Sequence, residues 1–542
     1  MPVIELHKDR LNGLYPSKKY EELKDMLPFI GLDIESDDGN TIRVEYSPNR
    51  PDFSTDYGII RALKGLFGDQ LSRPRHKLMG SGVNFVVDKS IRGLRPYIAG
   101  FVVEHLNLDD SLIKQLISMQ EDLHHGIGRE RKKVAIGYHD LSAIKSPIKY
   151  TTVDLNHRFI PLGAAATMEL SNVLKETRQG VEYGHLLAGF KRAPALIDDA
   201  GTTLSIPPII NGAATTITTS TNRLLVDITG TNLDIIKHAA SIIAEALWDA
   251  GGVVKAANVI YSPSKHLTYP DIAGRAIDFD FKYARNILGI NISLEETVLA
   301  LRKCRNDAKK EGDIIKVIVP NYRIDIIHPI DVVEEVAYGY GYFNINPDFN
   351  FPYSTGNASA EGRFEDKIRD IMVGLGFSEV ITPILTSYIV LVDKMGRSAK
   401  LKCVEFSKSA EHACLRDTIL PGILNVIALN TDEQNPQAMF ELGPVINKKE
   451  EKVLAAAIKF GDFSKIKSNL VALSNCFDAN LSFDRSSIPY MLRGGIIKNW
   501  GLAIGEIGEV NPQVLENFGI DSPIAFFELK VGNIRAVRPR HL

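Results

Sequence analysis

A multidomain α+β architecture is what this sequence predicts, and three observations carry the prediction. At 542 residues, the chain can hold three or four cores of about 150 residues each. Helix-period and strand-period segments are interleaved along its length. No tandem repeat or low-complexity tract breaks the pattern. A composition of 44% hydrophobic and 24% charged residues excludes a disordered or fibrous chain. With 63 Lys and Arg against 66 Asp and Glu, any nucleic-acid surface has to be a local patch and not a global field.

The elements follow in chain order. Residues 1–80 form a first α/β module, with helices over Ser17–Leu27, burying Tyr20, Leu23 and Leu27, and over Tyr57–Phe67, stopped by Gly68. The polar, basic stretch Ser72–Lys77 and Gly80-Ser81-Gly82 set a boundary near residue 80. Residues 84–264 read as strand-rich, with amphipathic helices at Ser111–Leu123 and Leu233–Trp248. Asp199-Ala200-Gly201 is expected to turn between strands Pro194–Asp198 and Thr202–Ile210. Residues 266–346 read helix, helix, strand, helix, with Gly289 closing the first helix and Ser293–Glu296 opening the second as a capping box. A linker, Pro347–Asn357, leads to a last domain, 357–542, in which helices alternate with strands.

The four cysteines, Cys304, Cys403, Cys414 and Cys476, form no CxxC pair, which points to a reducing compartment. The first ten residues carry Glu5, Lys8, Asp9 and Arg10, unlike a signal peptide. The longest apolar stretch, Ala239–Val254, is broken by Glu245 and Asp249, too polar for a membrane span. A soluble cytoplasmic protein is expected.

No GxxxxGK[ST], HExxH or GxSxG motif occurs, which argues against a P-loop ATPase, a zincin and an α/β-hydrolase. Gly339-Tyr340-Gly341 is followed by Asn344, so GxGxxG is not completed either. The sharpest local signal is Arg323–Glu335. Pro329 suits a first helical turn, which sets Asp331, Glu334 and Glu335 at i, i+3 and i+4 on one face, with Asp325 delivered by the preceding strand. Four carboxylates there suit Mg²⁺, which takes oxygen ligands; acids in a first turn also complement the helix dipole. Both readings stand on spacing alone.

In Arg223–Gly230, Asp227 and Thr229 share one face of an otherwise apolar strand. They could recognise a hydroxyl-bearing ligand or position a water, or simply sit on a solvated strand face. The basic cluster Arg129, Arg131, Lys132 and Lys133, beside His124 and His125, is expected to be solvated, and His139 to be a satisfied structural histidine. Lys282, Arg285, Arg302, Lys303 and Arg305 are candidates for backbone phosphates.

Several of these stretches together resemble the phenylalanyl-tRNA synthetase beta-subunit family in its shorter archaeal and eukaryotic form. The resemblance is carried by Asn49-Arg50-Pro51-Asp52 with Gly58–Leu63, by Val319–Asp325 with Glu335–Tyr340, by Leu415–Gly422, and by Gly505–Pro512, in that order. It implies an N-terminal α/β module, an α+β tRNA-editing domain, a helix-rich magnesium-binding module and a catalytically silent class II aminoacyl-tRNA synthetase-like antiparallel core. It further implies an alpha2beta2 heterotetramer with an alpha subunit that binds ATP and phenylalanine and carries the synthetic site, with tRNA(Phe) as the nucleic-acid partner. The class II ATP-binding signatures are degenerate here: Arg416-Asp417 for one, and Gly126-Ile127-Gly128 with Lys132 for the other. Arg363–Pro383 is similar to the helix and strand of the class II subunit contact. By family match, Asp325, Asp331, Glu334 and Glu335 are Mg²⁺ ligands in a site shared with alpha, and Leu196, Ser205, Asp227 and Thr229 form a pocket for editing tyrosyl-tRNA(Phe). A free-standing deacylase and a non-enzymatic tRNA-binding scaffold are the alternatives.

Overall fold

The computed structural model describes residues 2–346, 355–431, 433–447 and 449–534. It divides into two compact units, Met1–Phe349 and Asn350–Leu542. Most of the expected linker, residues 347–354, lies outside the described residues. Among the described residues no helix is long and apolar enough to cross a membrane.

The first unit contains three main sheets. A small antiparallel sheet pairs Val3–His7 and Asp33–Asp37 with a central Thr41–Glu45. Leu6, Ile42 and Val44 from it meet Ile59 and Leu63 of helix Asp56–Leu66 in one core. That helix starts where Thr55 accepts the Gly58 amide, a side-chain cap for one orphan donor.

The largest sheet has ten strands. Its path runs from the short Ile210–Asn211 strand at one end, through Thr203–Ile206 and Arg192–Ile197, to Tyr97–Glu104, Arg223–Gly230 and Val134–Asp140 at the other. Segments from both ends line one cavity, so the sheet curls around it. Helices Asp110–His125 and Leu233–Asp249 bury Leu116, Met119, Ile236 and Ile243 in its core. Gly80-Ser81-Gly82, expected at a boundary, instead lies inside the strand Met79–Val87, where Ser81 Oγ donates to the Ala256 carbonyl at 2.7 Å. Likewise Lys265–Tyr269 pairs with Val253–Ser262 and so extends this sheet past residue 264.

The third sheet, Arg275–Asp280, Ile314–Val319 and Asp307–Glu311, corrects the helix-helix-strand-helix reading, which saw one strand of three. The two flanking strands were hidden by their charge: Asp-Ala-Lys-Lys-Glu is a solvated edge, not an alternating run. Ile315, Val317 and Val319 turn inward onto helices Leu294–Lys303 and Pro329–Tyr340. The Ser293–Glu296 capping box forms as expected, with Ser293 Oγ accepting the Glu296 amide at 3.2 Å.

The second unit is built on a seven-stranded sheet, antiparallel except for the short Ser378–Glu379 strand, which runs parallel to Ala438–Ile446. Period-two alternation decides its layers. Along Glu450–Lys459, Leu454, Ala456 and Ile458 meet helices Ala360–Gly374 and Phe463–Asn475. Val453, Ala455 and Ala457 meet helices Leu420–Leu429 and Pro512–Phe518 on the opposite face. Cys403 and Cys414 are joined as a disulfide. The reducing-compartment expectation rested on sequence motifs and could not see this pair, which strand register places directly opposite one another.

Candidate functional site

The cavity enclosed by the curled sheet measures about 260 Å³. Gly137, Tyr138, Ser205, Thr215, Asp227 and Thr229 are among its walls. Asp227 sits mid-strand, only 2% exposed, with Gly137 and Gly100 as its neighbours across the two ladders. The glycine at 137 is required, because a Cβ there would overlap both Asp227 Oδ2 and His139 Nε2. That clearance lets the carboxylate lie along the neighbouring strand. Asp227 Oδ2 stands 2.8 Å from His139 Nε2, and His139 Nδ1 stands 2.7 Å from Thr215 Oγ1.

A buried cation supports the same wall. Arg95, 4% exposed, donates from Nε to Thr229 Oγ1 at 3.0 Å and from Nη2 to the Thr229 carbonyl at 2.8 Å. Burial lowers its pKa to about 10, with the Asp227 charge among the opposing influences, so it stays protonated at neutral pH. Arg131 enters from a turn in which Arg129, Glu130 and Arg131 all take positive φ, 46°, 53° and 59°. Non-glycine residues pay roughly 1–2 kcal/mol each for that conformation. The turn aims Arg131 inward, onto Glu121 Oε1 at 2.9 Å and the Ile209 carbonyl at 3.1 Å, so the expectation of a wholly solvated basic run fails for this residue. Burial opposes ionisation of Glu121, yet the proximity of His124 and the Arg131 charge bring its pKa down to about 2.

Two hydroxyls of this domain are buried with no hydrogen-bond partner among the described residues, Ser205 Oγ and Tyr138 Oη. Buried polar atoms are rarely left unpaired. Ser205 belongs to a strand that lines the cavity, whereas Tyr138 pairs with Val226, on the strand face opposite to that of Gly137 and Asp227, and packs into the main core. Of the four pocket residues expected from sequence, Ser205, Asp227 and Thr229 line this cavity. Leu196 does not: it pairs with Ser205 across the ladder but is fully enclosed in the main core. His139 is satisfied and completely buried as expected, but its partner is Asp227, a link the sequence did not reveal. Thr215 and Arg95 were missed altogether. The one available signal was the Gly137-x-His139 spacing, which puts both on one strand face.

The acidic run behaves differently. Arg323, 4% exposed on its side chain, takes both carboxylates that flank it. It donates to Asp325 at 2.9 and 2.6 Å and to Glu335 at 2.8 and 2.6 Å. Asn306 Nδ2 adds a bond to Glu335 at 3.1 Å. Asp331 caps its own helix, accepting the Ile327 and His328 amides at 2.8 and 2.7 Å. Only Glu334 is uncommitted, and its pKa is raised by burial and by the charges of Glu335, Asp331 and Asp325. Among the described residues no group of three or more His, Cys, Asp or Glu side chains is arranged to hold a metal ion. The four carboxylates do not converge on one point: Arg323 engages Asp325 and Glu335, and Asp331 is held by the start of its own helix. Arg302 and Arg305, candidates for phosphate contact, also turn inward, onto the carbonyls of Ala308 and Gln70.

With this geometry in view, comparison with known proteins is informative. Residues 277–342 match the tRNA synthetase B5 domain, and residues 350–531 the phenylalanyl tRNA synthetase beta chain CLM domain. The phenylalanine–tRNA ligase beta subunit of Archaeoglobus fulgidus is 35% identical over 539 residues, covering 98% of each chain. That of Sulfurisphaera tokodaii is 34% identical over 554 residues, covering 99% of this chain and all of the relative. The chain belongs to the phenylalanine–tRNA ligase beta-subunit family. An N-terminal fragment of the phenylalanyl-tRNA synthetase beta subunit from Pyrococcus horikoshii superposes with a TM-score of 0.60 at 31% identity, covering 63% of this chain and 100% of the fragment. Within this beta-subunit chain, the B5 match spans the three-stranded sheet that holds Arg323 close by, and the CLM match spans the seven-stranded sheet. The Asn49–Asp52 motif is structural: Arg50 grips Asp52 at 2.9 Å twice, and Arg61 bridges Asp52 to Asp249.

Proposed function

We propose that this chain works with an alpha subunit, in an alpha2beta2 phenylalanine–tRNA ligase, to attach phenylalanine to tRNA(Phe) at the expense of ATP, and that its own cavity hydrolyses tyrosyl-tRNA(Phe). The observation that carries the editing role is the grouping of a buried carboxylate, Asp227, with the hydroxyl-bearing residues Ser205, Thr215 and Thr229 around a space of about 260 Å³. A synthetic pocket shaped for phenylalanine rejects an added hydroxyl by only about a hundredfold in comparable cases. A second site that rewards the hydroxyl is therefore needed. Asp227 supplies that reward, because a phenol donates to it while a bare ring leaves its remaining acceptor capacity unused. Ser205 and Thr229 complete the polar wall, and hydrolysis runs through a water positioned there.

The second unit is read as a class II synthetase-like core without synthetic activity. Helices Leu420–Leu429 and Pro512–Phe518 cover one sheet face and helices Ala360–Gly374 and Phe463–Asn475 the other. Arg416, the remnant of the class II arginine, is 3% exposed and bound to Glu441 at 2.6 Å, so it has no free face for a triphosphate. ATP and phenylalanine are assigned to alpha on this ground. Magnesium is assigned a contact with Glu334 alone, its remaining ligands coming from water and the alpha chain, in keeping with the habit of Mg²⁺ of using one or two carboxylates.

Mixing the chain with its alpha subunit tests the whole reading. ATP–pyrophosphate exchange with phenylalanine is expected only in the mixture, together with release of tyrosine from tyrosyl-tRNA(Phe). Exchange by this chain alone would overturn the division of labour, and a mixture that leaves tyrosyl-tRNA(Phe) intact would overturn the editing role.

A further inference from the structure

We propose that His139 is a positioning residue that makes the Asp227 end of the cavity a reader of hydrogen-bond donors, with Thr215 as a second specificity-determining hydroxyl. The inference rests on the reading of this cavity as the tyrosyl-ester site and deepens it.

The argument is one of proton direction. An ionised carboxylate only accepts, and a neutral imidazole has one donor nitrogen and one acceptor nitrogen. With the ring neutral, His139 Nε2, 2.8 Å from Asp227 Oδ2, carries the proton, and Nδ1, 2.7 Å from Thr215 Oγ1, accepts. Thr215 spends its only proton on the ring. What Thr215 shows the cavity is a lone pair, and Asp227 shows another, since no other hydrogen bond reaches it among the described residues. A hydroxyl that donates is rewarded there; an ether of nearly the same shape is not.

His139 is itself completely buried and forms no part of the cavity wall, so it touches no ligand. It acts only through Asp227 and Thr215. The space for this relay is built into the strand, because any side chain at Gly137 would push between the carboxylate and the imidazole. The ring also locks the carboxylate in one rotamer, which side-chain packing alone does not guarantee for a short polar residue beside a void.

The experiment uses the complete alpha–beta enzyme and two substrates, tRNA(Phe) charged with tyrosine and tRNA(Phe) charged with O-methyltyrosine, whose ether accepts but cannot donate. The wild-type enzyme should deacylate the tyrosyl ester faster. His139→Phe should lower kcat/KM for the tyrosyl ester by about 10- to 100-fold, the range for a lost bond to a charged group, and leave the O-methyl ester within about threefold, so that the preference collapses. Thr215→Val should erode the preference in the same direction, and Thr215→Ser should restore it; these variants keep the test open where His139→Phe fails to fold. A preference unchanged in Thr215→Val and in folded His139→Phe, or an equal loss on both esters, overturns the inference while leaving the editing role intact. Failure of the wild-type enzyme to release tyrosine overturns the editing role, and this inference falls with it.

Discussion

Two carboxylate-bearing regions of the first unit stand out in the sequence and differ in the fold. Around Arg323, the carboxylates of Asp325 and Glu335 each receive two guanidinium bonds, and Asp331 receives two amides. The Asp227 carboxylate receives a single hydrogen bond among the described residues, from His139, and the Ser205 hydroxyl receives none there. The first region has settled the charges of three of its four carboxylates internally. The second keeps its hydrogen-bonding capacity in reserve beside an open volume. A ligand site is marked less by how many polar groups it gathers than by how many of them still lack partners.

The largest expected effect comes from breaking the settled region. Arg323→Met leaves Asp325 and Glu335 beside each other without their shared counter-charge. Removing one partner of a buried ion pair costs about 3–5 kcal/mol. Urea unfolding of the whole chain should show that loss in the transition of the first unit; a change below about 1 kcal/mol would mean that the carboxylates have another cation and the contrast is false. Next comes the unsettled region. Asp227→Asn keeps the shape of the cavity but removes the charge, and hydrolysis of tyrosyl-tRNA(Phe) by the two-subunit enzyme should fall by about 10- to 100-fold. Undiminished release of tyrosine would return Asp227 to the structural class.

What could be read from the sequence was whatever depends on nearest neighbours. The Ser293–Glu296 capping box and the helix at Leu233–Asp249 needed only local spacing. The face shared by Asp227 and Thr229 needed only the period of a strand. The partners were invisible, because they come from afar: Asp227 meets His139 across 88 positions and Thr229 meets Arg95 across 134. For the same reason the acidic run suggested a metal. Arg323 was in plain view two residues before Asp325, but nothing in the spacing says that its guanidinium also reaches Glu335, 12 positions on. Leu196 failed for the opposite reason: its ladder partner lines the cavity, yet Leu196 itself is enclosed in the core.

A third carboxylate sharpens the contrast by pH. Glu528 in the second unit is partly buried and accepts from Thr418 Oγ1 at 2.8 Å and from the Ile419 and Leu420 amides at 3.0 Å each. Despite these three donors, burial pushes its pKa up to about 7. An unfolded glutamate titrates near 4.3. Between about 4.3 and 7 the folded state holds more protons than the unfolded one, so stability from this group is fully present below about 4.3 and is lost as pH rises through 7. Glu528→Gln retains an acceptor oxygen for the donors and removes the charge. It should raise the stability of the second unit by about 1–2 kcal/mol at pH 8 and change nothing at pH 4. Thermal unfolding at the two pH values reads this directly, and an equal effect at both would show that the donors, not the charge, decide the outcome.

The smallest effect separates a metal cage from a docking contact. Glu334 is exposed and makes no hydrogen bond among the described residues, while three neighbouring carboxylates repel its charge. If the four acids were a cage, a chelator would uncover their mutual repulsion and unfold the first unit more easily. Arg323 removes that requirement. Chelation of divalent ions should therefore leave the urea midpoint of the isolated chain unchanged, and Glu334→Gln should shift its stability by no more than about 0.5 kcal/mol, since solvent screens an exposed charge. The same substitution should weaken Mg²⁺-dependent association with alpha, measured by sedimentation across a magnesium titration. A chelator that destabilises the isolated chain would place the acidic region with the unsatisfied cavity after all, as a site waiting for its ligand.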